Sequence, residues 1–249
     1  MIQVAVAAGL VAVAIVISRV RRIGLESQLA IAAVRATVQL AAVGAVVTVV
    51  FEHAGLAAAF VAVMLGAATL TAGGRLRGVS RPALRAGAAI AVGAGCGLAP
   101  LLLSGAFSPT PRELIPVAGI LIGGAMAATS LTGRRMVEAV GGELAVIEAR
   151  LALGATAQAA LAPIVRRAVT TGLIPVIDQT KNVGLVSLPG TFVGLILGGA
   201  SPAEAARLQL TVLLALLGVE MIAALVVAEL IGRAVSWPGE RVVAPGRGA

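Results

Sequence analysis

The sequence predicts an all-α membrane protein whose helices cross a bilayer about seven times. Two features of its composition lead to this prediction: 59% of the 249 residues are hydrophobic and only 12% are charged. A soluble domain of this size needs far more charge to cover its surface. Several apolar runs also reach the roughly 17–25 residues that cross a bilayer. We therefore expect residues 1–249 to form one multi-pass domain in the cell (inner or plasma) membrane.

The first four membrane spans are expected at residues 2–17, 29–51, 55–72 and 86–103. Arginines follow the first run rather than precede it, so we expect this run to be a retained span rather than a signal peptide. In the fourth run, Gly93 and Gly97 are four residues apart, a spacing that permits close contact with another helix.

The last three spans are expected at residues 114–131, 168–199 and 208–231. The middle one is too long for a single straight helix and contains Pro175, Gly184 and Pro189. It is expected to be broken inside the membrane, either as a bent helix or as a re-entrant hairpin. Gly190, Gly194 and Gly198 recur at four-residue intervals, which predicts a helix-packing surface.

Arginines are concentrated in alternate connections and predict the orientation of the chain. The links after spans one, three, five and seven contain Arg19, Arg21, Arg22, Arg75, Arg77, Arg81, Arg85, Arg134, Arg135, Arg233, Arg241 and Arg247. Cytoplasmic loops carry such an excess, so the N-terminus is expected outside and the C-terminus inside. The net charge of +8 has no accompanying stripe of aromatic residues, and no nucleic-acid partner is expected.

Residues 133–167 are too polar to cross the bilayer and are expected to be a mostly helical cytoplasmic segment. We expect this segment to bend near Gly154 and Pro163. The sequence Gly154-Ala155-Thr156 resembles a helix end followed by a new start, with Thr156 as the N-cap.

Three ionisable residues, Asp178, Lys181 and Glu220, lie in or near the apolar core. Each costs a few kcal/mol at mid-membrane unless it is paired or hydrated. Asp178 and Lys181 are three residues apart on a helix, so they either form a structural ion pair or line a water-filled path. Glu220 has no partner nearby in sequence, and Arg35 or Lys181 is a candidate from elsewhere in the bundle. Arg35 itself either faces this path or extends to the cytoplasmic surface.

Several chemistries are not indicated. The chain has no G-x-x-x-x-G-K-[ST] motif, so it is not expected to bind ATP through a P-loop. It has no Ser/His/Asp constellation, and Cys96 is a lone cysteine with no Cys/His cluster around it. The chain is therefore expected to be neither an enzyme nor a cofactor-binding protein, and no metal ligands are assigned.

The segment Glu148-Ala149-Arg150, followed after three residues by Gly154, resembles the EAA-type loop of ABC transporter permeases. Longer stretches are similar to the FetB-type permease family of bacterial putative iron-export permeases and plant aluminium-tolerance permeases. They are RATVQL at 35–40, PTPRELIPVAGILIGGAMAATSL at 109–131, EARLALGATAQAALAPI at 148–164 and DQTKNVGLVSLPGTFVGLILGGASPAEAARLQ at 178–209. The segment VGLVSLPG at 183–190 is the most diagnostic, and Gly124 departs from the Asn usual in the family.

The resemblance implies a permease subunit in a lipid bilayer, present as a homodimer, with a separate ATP-binding subunit that uses the ATP. It implies export of metal ions such as iron, with a nucleotide sugar such as UDP-glucose as the alternative substrate. Coupling to the ATPase is expected to involve Glu148, Ala149, Arg150, Gly154 and Pro163. The substrate path is expected to include Arg35, Gln39, Asp178, Gln179, Lys181, Asn182, Ser187, Pro189 and Glu220.

Two functions from other classes remain open on the residues alone. An ion-gradient-driven carrier would use Asp178 or Glu220 as a proton relay and would need no ATPase. A non-transporting membrane scaffold would tolerate removal of all three intramembrane charges. Neither alternative gives residues 133–167 an evident purpose, so the ABC permease is the leading hypothesis.

Overall fold

A computed structural model describes residues 2–237 and 241–242 and confirms a helical, multi-pass membrane protein. Among these residues seven helices are long and apolar enough to cross a membrane. They are α1 Ile2–Val20, α2 Glu26–Glu52, α3 Ala54–Gly73, α4 Pro82–Leu103, α5 Pro111–Gly142, α7 Ala157–Asn182 and α9 Pro202–Val235. Two shorter helices, α6 Leu144–Ala152 and α8 Gly190–Leu197, lie between them, and the two-residue strands β1 Ser236–Trp237 and β2 Arg241–Val242 follow α9. Arg247, used to predict the orientation, lies outside the described residues.

The chain divides into two compact units, residues 1–56 and residues 57–249. In the first unit α1 packs against α2, and Ser18 joins the two helices. Its hydroxyl donates to Glu26 Oε1 at 3.0 Å and accepts from the backbone N–H of Leu25 at 3.0 Å. A buried hydroxyl with both hydrogen bonds satisfied fixes the turn between the two helices. The prediction of one domain over residues 1–249 stays a prediction.

The centre of the second unit is a tight contact among α4, α5 and α9. Gly93 of α4 lies so close to α9 that a Cβ there would be 2.9 Å from the carbonyl oxygen of Val219 and 2.8 Å from Cβ of Ala223. One turn further, Gly97 faces the side chain of Val219. The close helix contact predicted from the spacing of these two glycines is confirmed, because only glycine leaves room for the backbones to approach.

Helix α5 extends well beyond the apolar run expected at residues 114–131, as far as Gly142. Met136 and Val140, one turn apart, are fully buried in the added segment. On its exposed side Glu138 forms ion pairs with Arg134 and Arg135. An amphipathic extension of this kind stays helical outside the membrane because it keeps one apolar face buried. Similarly, Arg85 was expected in a loop but lies in the first turn of α4, which Pro82 opens.

A bend was expected near Pro163, and the helix is not interrupted there: α7 continues through both Pro163 and Pro175. Its start is as predicted: Thr156 Oγ1 accepts from the N–H of Ala159 at 3.2 Å and caps the helix. Ala160, Leu161 and Ile164 are buried on either side of Pro163. We attribute the continuity of α7 to this packing, which offsets the backbone hydrogen bond that proline removes.

The long sixth segment is broken, as the sequence predicted. Helix α7 ends at Asn182, residues 183–189 form a link with Gly184 at φ +83°, and α8 follows. Within the described chain no other helix packs against Gly190, Gly194 and Gly198, so the packing surface expected there stays a prediction. A Cβ on Gly190 or Gly194 would meet no atom within 4 Å, and Gly198 contacts only carbonyls of its own helix.

Candidate functional site

At the arginine-rich end of the second unit, α6 and the start of α7 meet at a turn. We call residues 143–167 the α6–α7 elbow. The N–H of Gly154 donates to the carbonyl of Leu151 at 2.9 Å, and the N–H of Ala155 donates to that of Arg150 at 3.1 Å. These two bonds are the Schellman pattern of a helix C-terminus, which requires a left-handed residue. Gly154 supplies it with φ +89°, as its place in the sequence predicted.

Two side-chain contacts tie the parts of the elbow together. Arg150 Nη1 donates to the backbone carbonyl of Ala160 at 2.9 Å and joins α6 to α7. Arg167 Nη2 contacts both carboxylate oxygens of Glu143 at 2.6 Å, joining α7 to the junction of α5 and α6. Ile147, on the inner face of α6, is fully buried. Arg150 therefore holds the elbow in shape, whereas Glu143, Arg167 and Ile147 were not singled out from the sequence.

The outer face of α6 is exposed. Glu148 and Ala149, both expected to face a partner, are accessible, and Leu153 at the tip is 89% exposed. Val146, Ala149 and Leu153 recur at intervals of three and four, which places them on one side of the helix. A braced helix pair that presents an apolar stripe beside an acid is a surface suited to another protein. Pro163, the fifth residue expected in coupling, is half-buried in α7.

Within the bundle, Glu220 of α9 is only 7% exposed. It makes no ion pair or side-chain hydrogen bond in the part of the chain that the structure describes. Its carboxylate lies against Gly124 of α5, where an added Cβ would be 2.8 Å from Oε1. Arg35 and Gln39 are exposed on α2 in the first unit. The partner proposed for Glu220 from the sequence stays a prediction.

Other oxygen atoms without protein partners lie inside α5. The hydroxyls of Thr129, Ser130 and Thr132 are buried and have no hydrogen-bond partner among the described residues, and that of Thr132 contacts Gly172 of α7. Buried hydroxyls normally find a partner, so unpaired ones can serve water or a passing ion. No sequence pattern marks these three residues, because the hydroxyls of Thr and Ser in a membrane helix usually hydrogen-bond to the backbone of their own helix.

A cavity of about 580 Å³ opens at the opposite end of the second unit, between the starts of α5 and α9 and helix α8. Its polar lining residues are Ser108, Arg112, Glu113, Thr191, Glu204 and Gln209. Glu113 accepts a 2.7 Å hydrogen bond from the N–H of Ser108. Gln209 is 8% exposed, and its side chain makes no hydrogen bond among the described residues. Gln209 also lines a second cavity of about 310 Å³ behind the 183–189 link.

Gln209 and Glu220 lie on the same face of α9. They are eleven residues apart, close to three whole turns, which puts Glu220 about 16 Å deeper than Gln209. Both are buried toward the bundle, so α9 carries polar groups from the cavity to mid-membrane. The eleven-residue spacing between Gln209 and Glu220 is present in the sequence. A single glutamine beside a predicted loop did not indicate that the two residues belong to one polar face.

The remaining predicted path residues gather at the end of α7. Asp178, Gln179, Lys181 and Asn182 are exposed, and Ser187 is exposed in the link. No ion pair joins Asp178 to Lys181 among the described residues, and Asn182 Nδ2 donates to the carbonyl of Asp178 at 2.9 Å. Pro189 is half-buried at the start of α8. In the part of the chain that the structure describes, no hydrogen bond or ion pair connects these residues to Glu220, and they form a separate group.

Residues 1–235 match the model of an uncharacterised protein family, UPF0014. The chain is 40% identical over 240 residues to UPF0014 membrane protein STAR2 of Oryza sativa subsp. japonica, covering 96% of this chain and 82% of that one. It is 36% identical over 240 residues to Protein ALUMINUM SENSITIVE 3 of Arabidopsis thaliana, with 96% and 86% covered. It is 36% identical over 230 residues to the probable iron export permease protein FetB of Escherichia coli (strain K12), with 92% and 89% covered. No solved structure matches.

Proposed function

This chain belongs to the UPF0014 family of membrane proteins, and we propose that it is the membrane-spanning permease of an ABC-type transporter. A separate ATP-binding subunit would bind and hydrolyse the ATP, and two copies of each subunit would form the transporter. The observation that carries the proposal is the α6–α7 elbow, a braced helix pair with an exposed apolar stripe. The arginine-rich end that bears it is cytoplasmic in this proposal.

The elbow has a direct mechanical connection to the membrane. Helix α7 begins in the elbow and runs without interruption for 26 residues, about 39 Å, to Asn182. A partner that moves the elbow therefore moves the whole of α7, because Arg150 and Arg167 hold α6 to it. The displacement reaches the link at residues 183–189, where the helix is already broken and rearrangement costs least.

We propose that the substrate is a metal cation such as iron, moved outward. An unpaired carboxylate at mid-membrane costs a few kcal/mol, and a passing cation offsets that cost. Glu220, Gln209 and the buried α5 hydroxyls offer oxygen ligands, the type of ligand that hard cations prefer. The Escherichia coli relative carries the name of a probable iron export permease. A nucleotide sugar would instead bring anionic phosphates toward Glu220 and would depend on Lys181 and Arg35.

The first test is capture of an ATP-binding subunit. Tagged protein would be purified from its own cells in mild detergent as wild type, Leu153→Ser, Gly154→Pro and the control Leu103→Ser. Leu153 and Leu103 are 89% and 88% exposed, but only Leu153 lies in the elbow. We expect wild type and Leu103→Ser to retain a subunit with ATPase activity, and the two elbow variants to lose it. Absence of any nucleotide-binding subunit with the folded wild type would contradict the proposal.

The second test separates the substrates and the energy source. In vesicles containing both subunits, we expect ATP-dependent cation transport that Glu220→Gln lowers and Arg35→Gln leaves near wild type. The reverse pattern, with UDP-glucose transported, would favour the nucleotide sugar. Transport by the permease alone, driven by an ion gradient, would favour the secondary carrier.

A further inference from the structure

The first turns of α7 belong to the elbow, and only the part of the helix beyond Arg167 lies within the bilayer. Arg166 and Arg167 are exposed, and Arg167 pairs with Glu143 outside the spans, so the membrane boundary lies close to them. From Arg167 to Asn182 the helix rises about 22 Å, against a hydrocarbon core of about 30 Å. Asp178 is about 16 Å past Arg167, near the bilayer centre.

This depth makes the surface around the end of α7 unsuited to lipid. Asp178 and Lys181 are exposed there without an ion pair in the described chain, and each charge costs a few kcal/mol against hydrocarbon. The link at residues 183–189 exposes non-helical backbone, which membranes tolerate only where protein or a water-filled cavity covers it. Leu185 in this link is 91% exposed. We call residues 178–188 the α7–α8 patch.

We propose that a second copy of this chain covers the α7–α8 patch through a two-fold axis, with Asp178 of one copy paired to Lys181 of the partner subunit. The proposal deepens the proposed function and rests on its assignment of the chain as a membrane permease. Under a two-fold axis the same patch appears on both sides of the interface. A patch with one acid and one base one turn apart is complementary to itself, so two copies form two ion pairs.

Other occupants fit less well. An ATP-binding subunit at the elbow lies outside the bilayer and does not reach a surface about 16 Å within it. The N–H groups of Gly184, Val186 and Ser187 are hydrogen-bonded within the chain. Lipid would still leave both charges, and the backbone groups of the link that have no partner among the described residues, without hydrogen bonds. Gly190 and Gly194, with no atom within 4 Å of an added Cβ, extend the open surface onto α8 and leave room for a neighbouring helix. Polar groups from both copies would then flank the dimer axis. In this arrangement the substrate path beside the end of α7 is lined by residues of both copies.

Charge exchange between two differently tagged chains tests the pairing without an ATPase. A chain with Asp178→Lys carries two bases in the patch, and a chain with Lys181→Asp carries two acids. We expect each alone to self-associate at least tenfold more weakly than wild type, and the two co-expressed to recover a mixed dimer. A pair within one chain cannot be restored in this way, because each chain still has like charges. Mixed association no stronger than self-association would overturn the proposal.

Cysteine crosslinking tests the same interface without charge substitutions, so it still applies if the charge variants misfold. In a Cys96→Ala background in membranes, Leu185→Cys is expected to give a crosslinked dimer with a short bis-maleimide. Leu103→Cys, of similar exposure at the end of α4, is expected to give none. Equal crosslinking at both positions, or none at Leu185→Cys, would refute the interface. Both experiments use the permease alone. The dimer interface can therefore fail its tests while ATPase capture succeeds, and ATPase capture can fail while the interface is supported.

Discussion

The carboxylate of Glu220 on α9 lies against the backbone of Gly124 on α5, with Oε1 2.8 Å from where a Cβ on Gly124 would stand. Glycine at this position lets an acid be buried between two helices without a partner. This acid is the residue on which cation transport is expected to depend, and it was predicted from the sequence as an isolated charge in an apolar run.

Replacing Glu220 separates charge from packing. We expect Glu220→Gln to fold normally and to be at least as stable as wild type. Glutamine has nearly the shape of glutamate, and the substitution removes an unpaired buried charge. ATP-dependent cation transport is expected to fall by about tenfold or more. Glu229→Gln is the control on the same helix, since Glu229 is exposed and, in the described part of the chain, pairs with Arg233 alone. Unchanged transport by Glu220→Gln would remove Glu220 from the path.

Gly154 in the elbow turn can be compared with Gly141 at the end of α5, since both have open space around the position of a Cβ. Gly154→Ala forces a Cβ into left-handed backbone at φ +89°, a cost of about 1–2 kcal/mol, although no atom lies within 4 Å of the new methyl. Gly141→Ala, in the helical end of α5 and equally open, is expected to stabilise by about 0.5–1 kcal/mol. Thermal unfolding in detergent checks both. Weaker ATPase capture by Gly154→Ala alone would connect the turn to coupling, and equal stability of the two variants would contradict the strain argument.

Arg150 and Arg135 make contacts of very different expected strength. Arg150 donates from a half-buried position to the carbonyl of Ala160, and charge-assisted bonds of this kind are worth about 1.5–3 kcal/mol. Arg135 forms an exposed ion pair with Glu138, worth about 0–1 kcal/mol. We expect Arg150→Met to lower the unfolding temperature and to weaken ATPase capture, whereas Arg135→Met changes little. Similar losses from both would mean that Arg150 does not hold the elbow.

The sequence predicted helices and their order well, and tertiary details less well. Apolar runs located all seven spans because bilayer thickness dictates their length. The C-terminal end of α5 was missed because it depends on packing: Met136 and Val140 bury one face of the added segment. The uninterrupted helix past Pro163, where a bend was expected, also depends on packing, since Ile164 is buried beside it. The cavity beside Gln209 and the contact between Arg167 and Glu143 join segments distant in the chain, and no local pattern records such contacts.

The contact between α4 and α9 gives a prediction that concerns only the fold. A methyl on Gly93 would lie 2.9 Å from the carbonyl oxygen of Val219, a backbone atom that cannot rotate away as a side chain does. We expect Gly93→Ala to push α4 from α9 and to cost about 1–3 kcal/mol. Gly95→Ala, two residues along the same helix with no atom within 4 Å, is expected to be neutral or slightly stabilising.

Thermal unfolding of the two variants in one detergent measures this difference directly. Both substitutions add the same methyl to the same helix, so intrinsic helix propensity cancels in the comparison. What remains is the cost of separating two backbones that glycine allows to touch. If Gly93→Ala proved as stable as Gly95→Ala, α4 and α9 would lie further apart than the structure has them. The neighbouring contact that buries Glu220 against Gly124 would then need to be re-examined by the same comparison at Gly124 and Gly123.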